Sequence, residues 1–444
     1  MTAAGLRRLF AASFAADLAH YLIHTAIAFK AVWLGAEPLQ LGALAAASTG
    51  AYALFVAVSG RTSDRVPRVT LARASCIGVV TACLALTVAP SVMRMLFCMP
   101  LLGGSVAFFW PCVQAGIADR SDAATLGRNL GRFNLSWSTG KSLGFLLGGL
   151  LVASLGAEAV LTLGSLAVAA IFFVLPRPRA SSDAGPIAAL AARGATAAPA
   201  ELSHAGMQQQ PQPLPLAAPL PAAPSPPPPA PVLPDDIVAR ALVFRRLAWL
   251  ANGAAYGIVA TLTYHYPRVV AAHGWSPRVF GAFLGGIYFI EMLVFFWLHR
   301  RPELWRFRRA ALYVPQLLLA TGVAALPLAD PSRLVVTAIV FGFGIAVCYA
   351  ASIEYSLLVH EARGRSAGFH ELLIGIGSMV VPLSGGLAAR ATGAAWAPYV
   401  VAAGAMLCSL AGQEVLFRLG RQRVRTGAAS RGPGRSEPDI VAPA

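Results

Sequence analysis

The chain has 444 residues, of which 57% are hydrophobic and 12% charged, and its mean hydropathy is +0.64. A water-soluble core of this length cannot hide that much apolar surface, which excludes an ordinary soluble domain. The formal charge of +16 lies in short loops and tails rather than along one face, a distribution that marks membrane topology and argues against nucleic-acid binding.

The first predicted element begins behind Arg7 and Arg8. A basic start before an apolar run suits a signal peptide. Here, however, Asp17, His20 and His24 interrupt the run, which continues to about Leu34. It reads as a retained first spanning helix. In chain order the runs of spanning length cover roughly 9–34, 39–59, 70–89, 94–118, 130–153 and 157–175 in the first half. In the second half they cover roughly 246–266, 279–298, 310–328, 334–355, 369–389 and 396–417. Arginine marks alternate loops: Arg61, Arg65, Arg68 and Arg73; Arg120 and Arg128; Arg177 and Arg179; Arg300, Arg301, Arg306, Arg308 and Arg309; Arg363 and Arg365. The intervening loops are poorer in it, with Arg268, Arg278, Arg333 and Arg390 as exceptions. This pattern predicts a multi-pass protein of the inner (plasma) membrane with both termini in the cytoplasm.

Between the two sets of spans, residues 180–236 are rich in Ala and Pro, with an unbroken run from Pro226 to Pro229. With no apolar period, this stretch predicts a disordered, partly polyproline spacer, a reading favoured over a proline-recognition motif. After about Gly420 the chain is rich in Arg, Gly and Ser and predicts a disordered tail. The expected domains are 1–179, a six-helix bundle; 180–240, a cytoplasmic linker; 241–420, a second six-helix bundle; and 421–444, a cytoplasmic tail. Cys76, Cys83, Cys98, Cys112, Cys348 and Cys408 are scattered through apolar runs without metal-ligand or disulfide spacing, so no metal and no cofactor are expected.

The second half repeats the first. Gly35-Ala36-Glu37-Pro38-Leu39-Gln40-Leu41-Gly42 is matched by Gly274-Trp275-Ser276-Pro277-Arg278-Val279-Phe280-Gly281. In the same register Asp64 falls on Glu303, Gly103 on Gly342 and Trp110 on Tyr349. After a slip of two residues, Gly131, Asn134, Gly140 and Gly148-Gly149 fall on Gly368, Glu371, Gly377 and Gly385-Gly386. A duplicated six-helix unit is a common plan of secondary transporters, with the solute site between the halves.

The loop Gly60-Arg61-Thr62-Ser63-Asp64-Arg65-Val66-Pro67-Arg68 has a glycine to end one helix, an aspartate to cap the next and arginines to hold it in the cytoplasm. It resembles the signature loop of the major facilitator superfamily. Gly60, Asp64, Arg65 and Arg68 match, and Pro67 stands where the turn glycine is usual. The second copy, His299-Arg300-Arg301-Pro302-Glu303, is degenerate. The resemblance implies a rocker-switch carrier in which Gly60, Asp64, Arg65 and Arg68 form a cytoplasmic latch between the bundles. Gly140-Lys141-Ser142-Leu143-Gly144-Phe145-Leu146-Leu147-Gly148-Gly149 resembles that superfamily's fifth-helix antiporter motif, but Phe145 replaces its proline. The proline occurs instead in the second copy, as Pro382. The fourth-helix arginine of proton-coupled exporters is also missing, with Met99 in that region. Both departures argue against drug/proton antiport.

The chain has only two lysines, Lys30 and Lys141. Lys30 lies near the outer end of span one, where it can snorkel. Lys141 lies near mid-span, and Asn134, Trp137 and Lys141 recur at helical spacing on the glycine face, which looks toward protein. A cavity role, anion binding or charge coupling, is weighed there against a structural ion pair. Asp17, His20 and His24 share a face of span one; they read either as a proton relay or as packing hydrogen-bonders. By analogy with the superfamily, spans one, four, seven and ten line the cavity. The remaining candidates are Trp110 and Gln114; Tyr256, Tyr264 and His265; Glu291; Tyr349 and Glu354; and Glu371.

The expectation is an all-α membrane protein with twelve transmembrane helices in two pseudo-symmetric six-helix bundles. It would act as a monomer in the lipid bilayer and move a small organic solute by alternating access, with a coupling proton carried by buried Asp, Glu and His. The alternative is a transport-inactive scaffold or sensor that keeps the fold. An enzyme is not expected, since no phosphate-binding loop, HExxH or nucleophile elbow occurs.

Overall fold

A computed structural model describes residues 3–63, 66–118, 120–121, 125–175, 235–328, 330–358 and 363–429. Among them are thirteen α-helices and no strand. The first half holds α1 (Ala3–Trp33), α2 (Pro38–Ser63), α3 (Arg68–Val88), α4 (Val92–Val106), α5 (Phe109–Ala118), α6 (Leu126–Leu155) and α7 (Ala157–Val174). The second holds α8 (Asp235–Ala272), α9 (Pro277–Arg300), α10 (Arg309–Ala325), α11 (Leu334–Leu358), α12 (Arg363–Thr392) and α13 (Ala397–Ala429).

These helices make twelve crossings, because α4 and α5 lie end to end within one, Val92–Ile117. Ten crossings are apolar enough and long enough by composition alone. The other two, α1 and α8, are long enough at 31 and 38 residues, but polar side chains such as Asp17, His20, Asn252 and His265 lower their hydropathy. With twelve crossings, the start of α1 and the end of α13 share one side, called here the terminal side.

The fourth crossing departs from the expected single helix over 94–118. Pro111 has no N–H, and its ring crowds the carbonyl four residues earlier, at Ala107. The helix stops at Val106, turns through Ala107 and Phe108, and restarts with Pro111 in the first turn of α5. The repeat-related position holds Ala350, and α11 runs unbroken. At the other end of the chain, α13 continues past Gly420 to Ala429, into the segment expected as tail. The linker, 180–234, and residues 430–444 lie outside the described residues.

The repeat is visible in the backbone. Among the described residues four glycines have positive φ; all sit at turns opposite the terminal side, and they form two related pairs. Gly35 (φ 78°) matches Gly274 (φ 66°), and Gly156 (φ 85°) matches Gly393 (φ 69°). A side chain at these angles would be strained, so glycine ends each preceding helix. Past Gly274, the Ser276 hydroxyl caps α9 by accepting from Arg278 N (3.3 Å), and Pro277 occupies its first turn.

Close helix packing repeats as well. Gly103 lies against the Ser48 carbonyl and Gly342 against that of Ile287; Gly140 lies against the Phe14 carbonyl and Gly377 against that of Gly253. Each pair is related by the sequence repeat. Two seams join the halves, α2 with α12 and α6 with α9. At the α6–α9 seam a Cβ on Gly149 would lie 2.5 Å from Pro277 O, and one on Gly281 would lie 2.7 Å from Phe145 O. The α2–α12 seam answers with Gly386 at 2.5 Å from Pro38 O and with Gly42 against Pro382 O. Small residues let these backbones approach where water cannot drive association. All four contacts lie toward the side opposite the termini.

Candidate functional site

A central cavity of about 190 Å³ lies between the halves. The helices expected to line it do so: α1 with Asp17, His20, Tyr21 and His24; α4–α5 with Trp110 and Gln114; α8 with Tyr256, Thr263 and Tyr264; and α11 with Tyr349. Three more contribute: α2 with Ser48, Thr49 and Tyr52; α6 with Phe133, Trp137 and Lys141; and α12 with Glu371, Ile374 and Ser378. Helical spacing explains each group. Residues 17, 20, 21 and 24 fall on one stripe of α1, and residues 371, 374 and 378 on one stripe of α12.

Lys141 is 1% exposed and Glu291 is fully buried, and the lysine Nζ stands 3.8 Å from Glu291 Oε2 across the α6–α9 seam. At that distance the pair is an ionic contact and not a hydrogen bond. Neither Glu291 oxygen has a hydrogen-bond donor among the described residues. Aromatic rings complete the surroundings of the ammonium, with Tyr288 at 3.9 Å, Tyr256 at 5.3 Å, Tyr21 at 5.4 Å and Trp137 at 5.5 Å from ring centroid to Nζ. Such ring faces attract a desolvated cation by about 0.5–2 kcal/mol each.

The second seam carries another acid. The Tyr52 hydroxyl donates to Glu371 Oε2 at 2.9 Å, joining α2 to α12. Three further bonds cross the halves toward the opposite side: His24 Nδ1 to Tyr264 OH (2.8 Å), Ser142 Oγ to Gly285 O (2.8 Å) and Arg268 Nη1 to Ala36 O (3.0 Å).

Four sequence candidates stand off the cavity wall. Asn134 accepts the Trp137 indole N–H (3.1 Å) and so orients a lining residue. Glu291 sits behind Lys141. His265 lies one residue past the α8 stripe, rotated off it by about 100°, and bonds Pro382 O through Nε2 (3.0 Å), a helix-packing role. Glu354 is paired with Arg306, on the turn after α9, and faces away from the cavity. Lys30 is also structural: it donates to Thr87 O (2.7 Å) and meets Glu158 at 3.2 Å. Tyr21, Tyr52 and Tyr288 were not among the candidates. In apolar runs a tyrosine carries no signal beyond its hydroxyl, and only the seam partners give these three a role. Of the expected latch, Asp64 and Arg65 lie outside the described residues; Gly60 falls in the last turns of α2, and Arg68 opens α3. No metal-holding group of His, Cys, Asp and Glu occurs among the described residues.

Solved structures share this architecture. The POT family transporter PepTSo aligns with a TM-score of 0.67 at 11% identity, over 95% of this chain and 99% of that one. The nucleoside transporter NupG aligns with 0.61 at 11% identity, over 93% and 98%. A bacterial homologue of the human lysosomal transporter Spinster, in an inward-facing and unoccupied conformation, aligns with 0.62 at 14% identity, over 95% and 98%. At these identities the likeness concerns the fold. Among curated proteins none matches the chain in sequence. The sequence model of the Major Facilitator Superfamily matches residues 9–356. With that match, the twelve crossings and the cavity between related halves, the chain belongs to the Major Facilitator Superfamily and is a membrane transporter, not an enzyme.

Proposed function

We propose that this transporter carries a small organic solute across the inner membrane by alternating access, driven by protons, with its terminal side in the cytoplasm. The carrying observation is the cavity itself. Both halves line it, backbone contacts seal it toward one side, and an acid stands at each seam: the half-buried Glu371 with Tyr52, and the fully buried Glu291 with Lys141. Alternating access needs bonds between the halves that can be exchanged. A buried carboxylate meets that need, because a proton removes the charge that holds its partner. The Lys141–Glu291 contact is suited to this. It is long and lacks supporting hydrogen bonds, so its attraction does little more than offset desolvation. The arginine-rich turns after α2 and α9 lie on the terminal side, which supports a cytoplasmic assignment and hence a cavity closed to the outside. Asp64 and Arg65 would then act as the latch when the cytoplasmic side closes.

Purified protein in proteoliposomes tests this reading. Solute counterflow should be accelerated by an imposed pH gradient, and Glu291→Gln should retain counterflow while losing the response to the gradient. Equal stimulation of wild type and Glu291→Gln would refute the coupling role. Solute binding without flux under any gradient would favour the transport-inactive scaffold.

A further inference from the structure

We propose, building on the transport reading above, that the solute is an organic cation with an aromatic or apolar body, and that Asp17 is its counter-charge. The charges around the cavity are unequal. One lysine, Lys141, stands among three carboxyl groups, those of Asp17, Glu291 and Glu371. Glu291 occupies the lysine, at 3.8 Å, and four rings close around its ammonium. Lys141 is therefore not a free anion site, which turns the solute's expected charge away from negative. Glu371 has the Tyr52 hydroxyl. Asp17 feels the charge of Lys141 at a distance but has no hydrogen bond or ion pair among the described residues, is 6% exposed, and faces the cavity.

A carboxyl group buried in a membrane protein without a partner calls for a cation or a proton from the cavity. Rings not taken up by Lys141 favour an organic cation: Trp110, Tyr264 and Tyr349 reach the cavity clear of its ammonium. Such ring faces attract an ammonium group and pack against a flat or apolar body. An anion would meet two carboxyl groups and a lysine already engaged. The hydroxyls of Thr49, Thr263 and Ser378 stand among the rings and can hydrogen-bond polar substituents.

A charge series of one shape tests the assignment: phenethylamine, neutral 3-phenylpropanol and anionic 3-phenylpropionate. Binding to the full chain in lipid nanodiscs is read by calorimetry and by quenching of the lining Trp110 and Trp137. Phenethylamine should bind roughly ten- to hundredfold tighter than the other two, the span of one charge-assisted hydrogen bond. Asp17→Asn should erase that preference and leave 3-phenylpropanol unchanged, and Asp17→Glu should restore part of it. Tightest binding of 3-phenylpropionate, no binding of the amine, or a preference that survives in Asp17→Asn each overturns the proposal. If Asp17→Asn does not fold, the charge series on the native chain decides alone. Flux separates the two readings. Amine that binds but is not carried in proteoliposomes counts against transport only, whereas carriage of the neutral or anionic member counts against the cation only.

Discussion

Replacing Lys141 with methionine exposes the energetics of the α6–α9 seam. Methionine keeps the length of the side chain and its contact with the rings, but leaves the fully buried Glu291 without a counter-charge. Removing one member of a buried ion pair costs about 3–5 kcal/mol, most of it from the stranded partner. The ring faces around the ammonium add about 0.5–2 kcal/mol for the nearest, Tyr288, whose centroid lies 3.9 Å from Nζ. Lys141→Met should therefore insert but unfold at clearly lower temperature. In Lys141→Met/Glu291→Gln the stranded charge is gone, and most of the loss should return, because a neutral replacement of a buried pair is close to neutral in energy. Lys141→Arg should rescue poorly, since a planar guanidinium does not fit a space shaped around an ammonium. Thermal unfolding followed by intrinsic fluorescence in detergent gives the three comparisons. A double variant no more stable than Lys141→Met would show that the two residues do not act as a pair. Transport should stay uncoupled in the double variant even as stability recovers, which separates the seam's structural and functional parts.

Three further expectations concern the architecture. Gly377→Leu should prevent folding or lower the unfolding temperature sharply, because a side chain there meets the Gly253 carbonyl, whereas Gly404→Leu, with open space around it, should be near neutral. Reporter fusions at Gly156 and Asp330 should report outside and one at Ala217 inside; an odd number of crossings between the chain ends would refute the twelve-crossing plan. Asp64→Asn should slow turnover with little change in solute affinity, measured as flux against equilibrium binding; lost affinity at normal exchange would move Asp64 into the solute site.

The duplicated architecture was legible because glycine and proline record backbone requirements directly. Gly35 and Gly274 are glycines for the same φ, and Gly103 and Gly342 for the same helix crossing. The break in the fourth crossing was equally present in the text, at Pro111, but an apolar run of spanning length outweighed it. The site was legible by stripe: residues 17, 20 and 24 on α1, and 137 and 141 on α6, reach the cavity as their spacing demands. What failed was the assignment of single polar residues. His265 follows Tyr264 directly in sequence, yet a rotation of about 100° per residue turns it from the cavity to the Pro382 carbonyl. Glu354 was claimed by Arg306, and no spacing rule reveals a partner that lies in the turn after another helix. Glu291 was a cavity candidate, but only the packing of α6 on α9 pairs it with Lys141.

The closed end of the molecule is fastened by main chain as well as by the His24–Tyr264, Ser142–Gly285 and Arg268–Ala36 bonds. Gly42, Gly149, Gly281 and Gly386 each bring one half's backbone onto a carbonyl of the other. These glycine contacts have no charge to titrate and no side chain to swing aside, so their share of the energy of opening is set by shape alone. Any substituent at these four positions is a wedge. It acts on the balance between the two access states before it acts on anything else, and each 1.4 kcal/mol of crowding moves that balance about tenfold. A graded series of alanine and serine replacements would therefore act as a ruler for the access equilibrium, displacing it in steps without touching a solute contact or a proton carrier. It would yield a set of otherwise native proteins held progressively further toward the outward-open form.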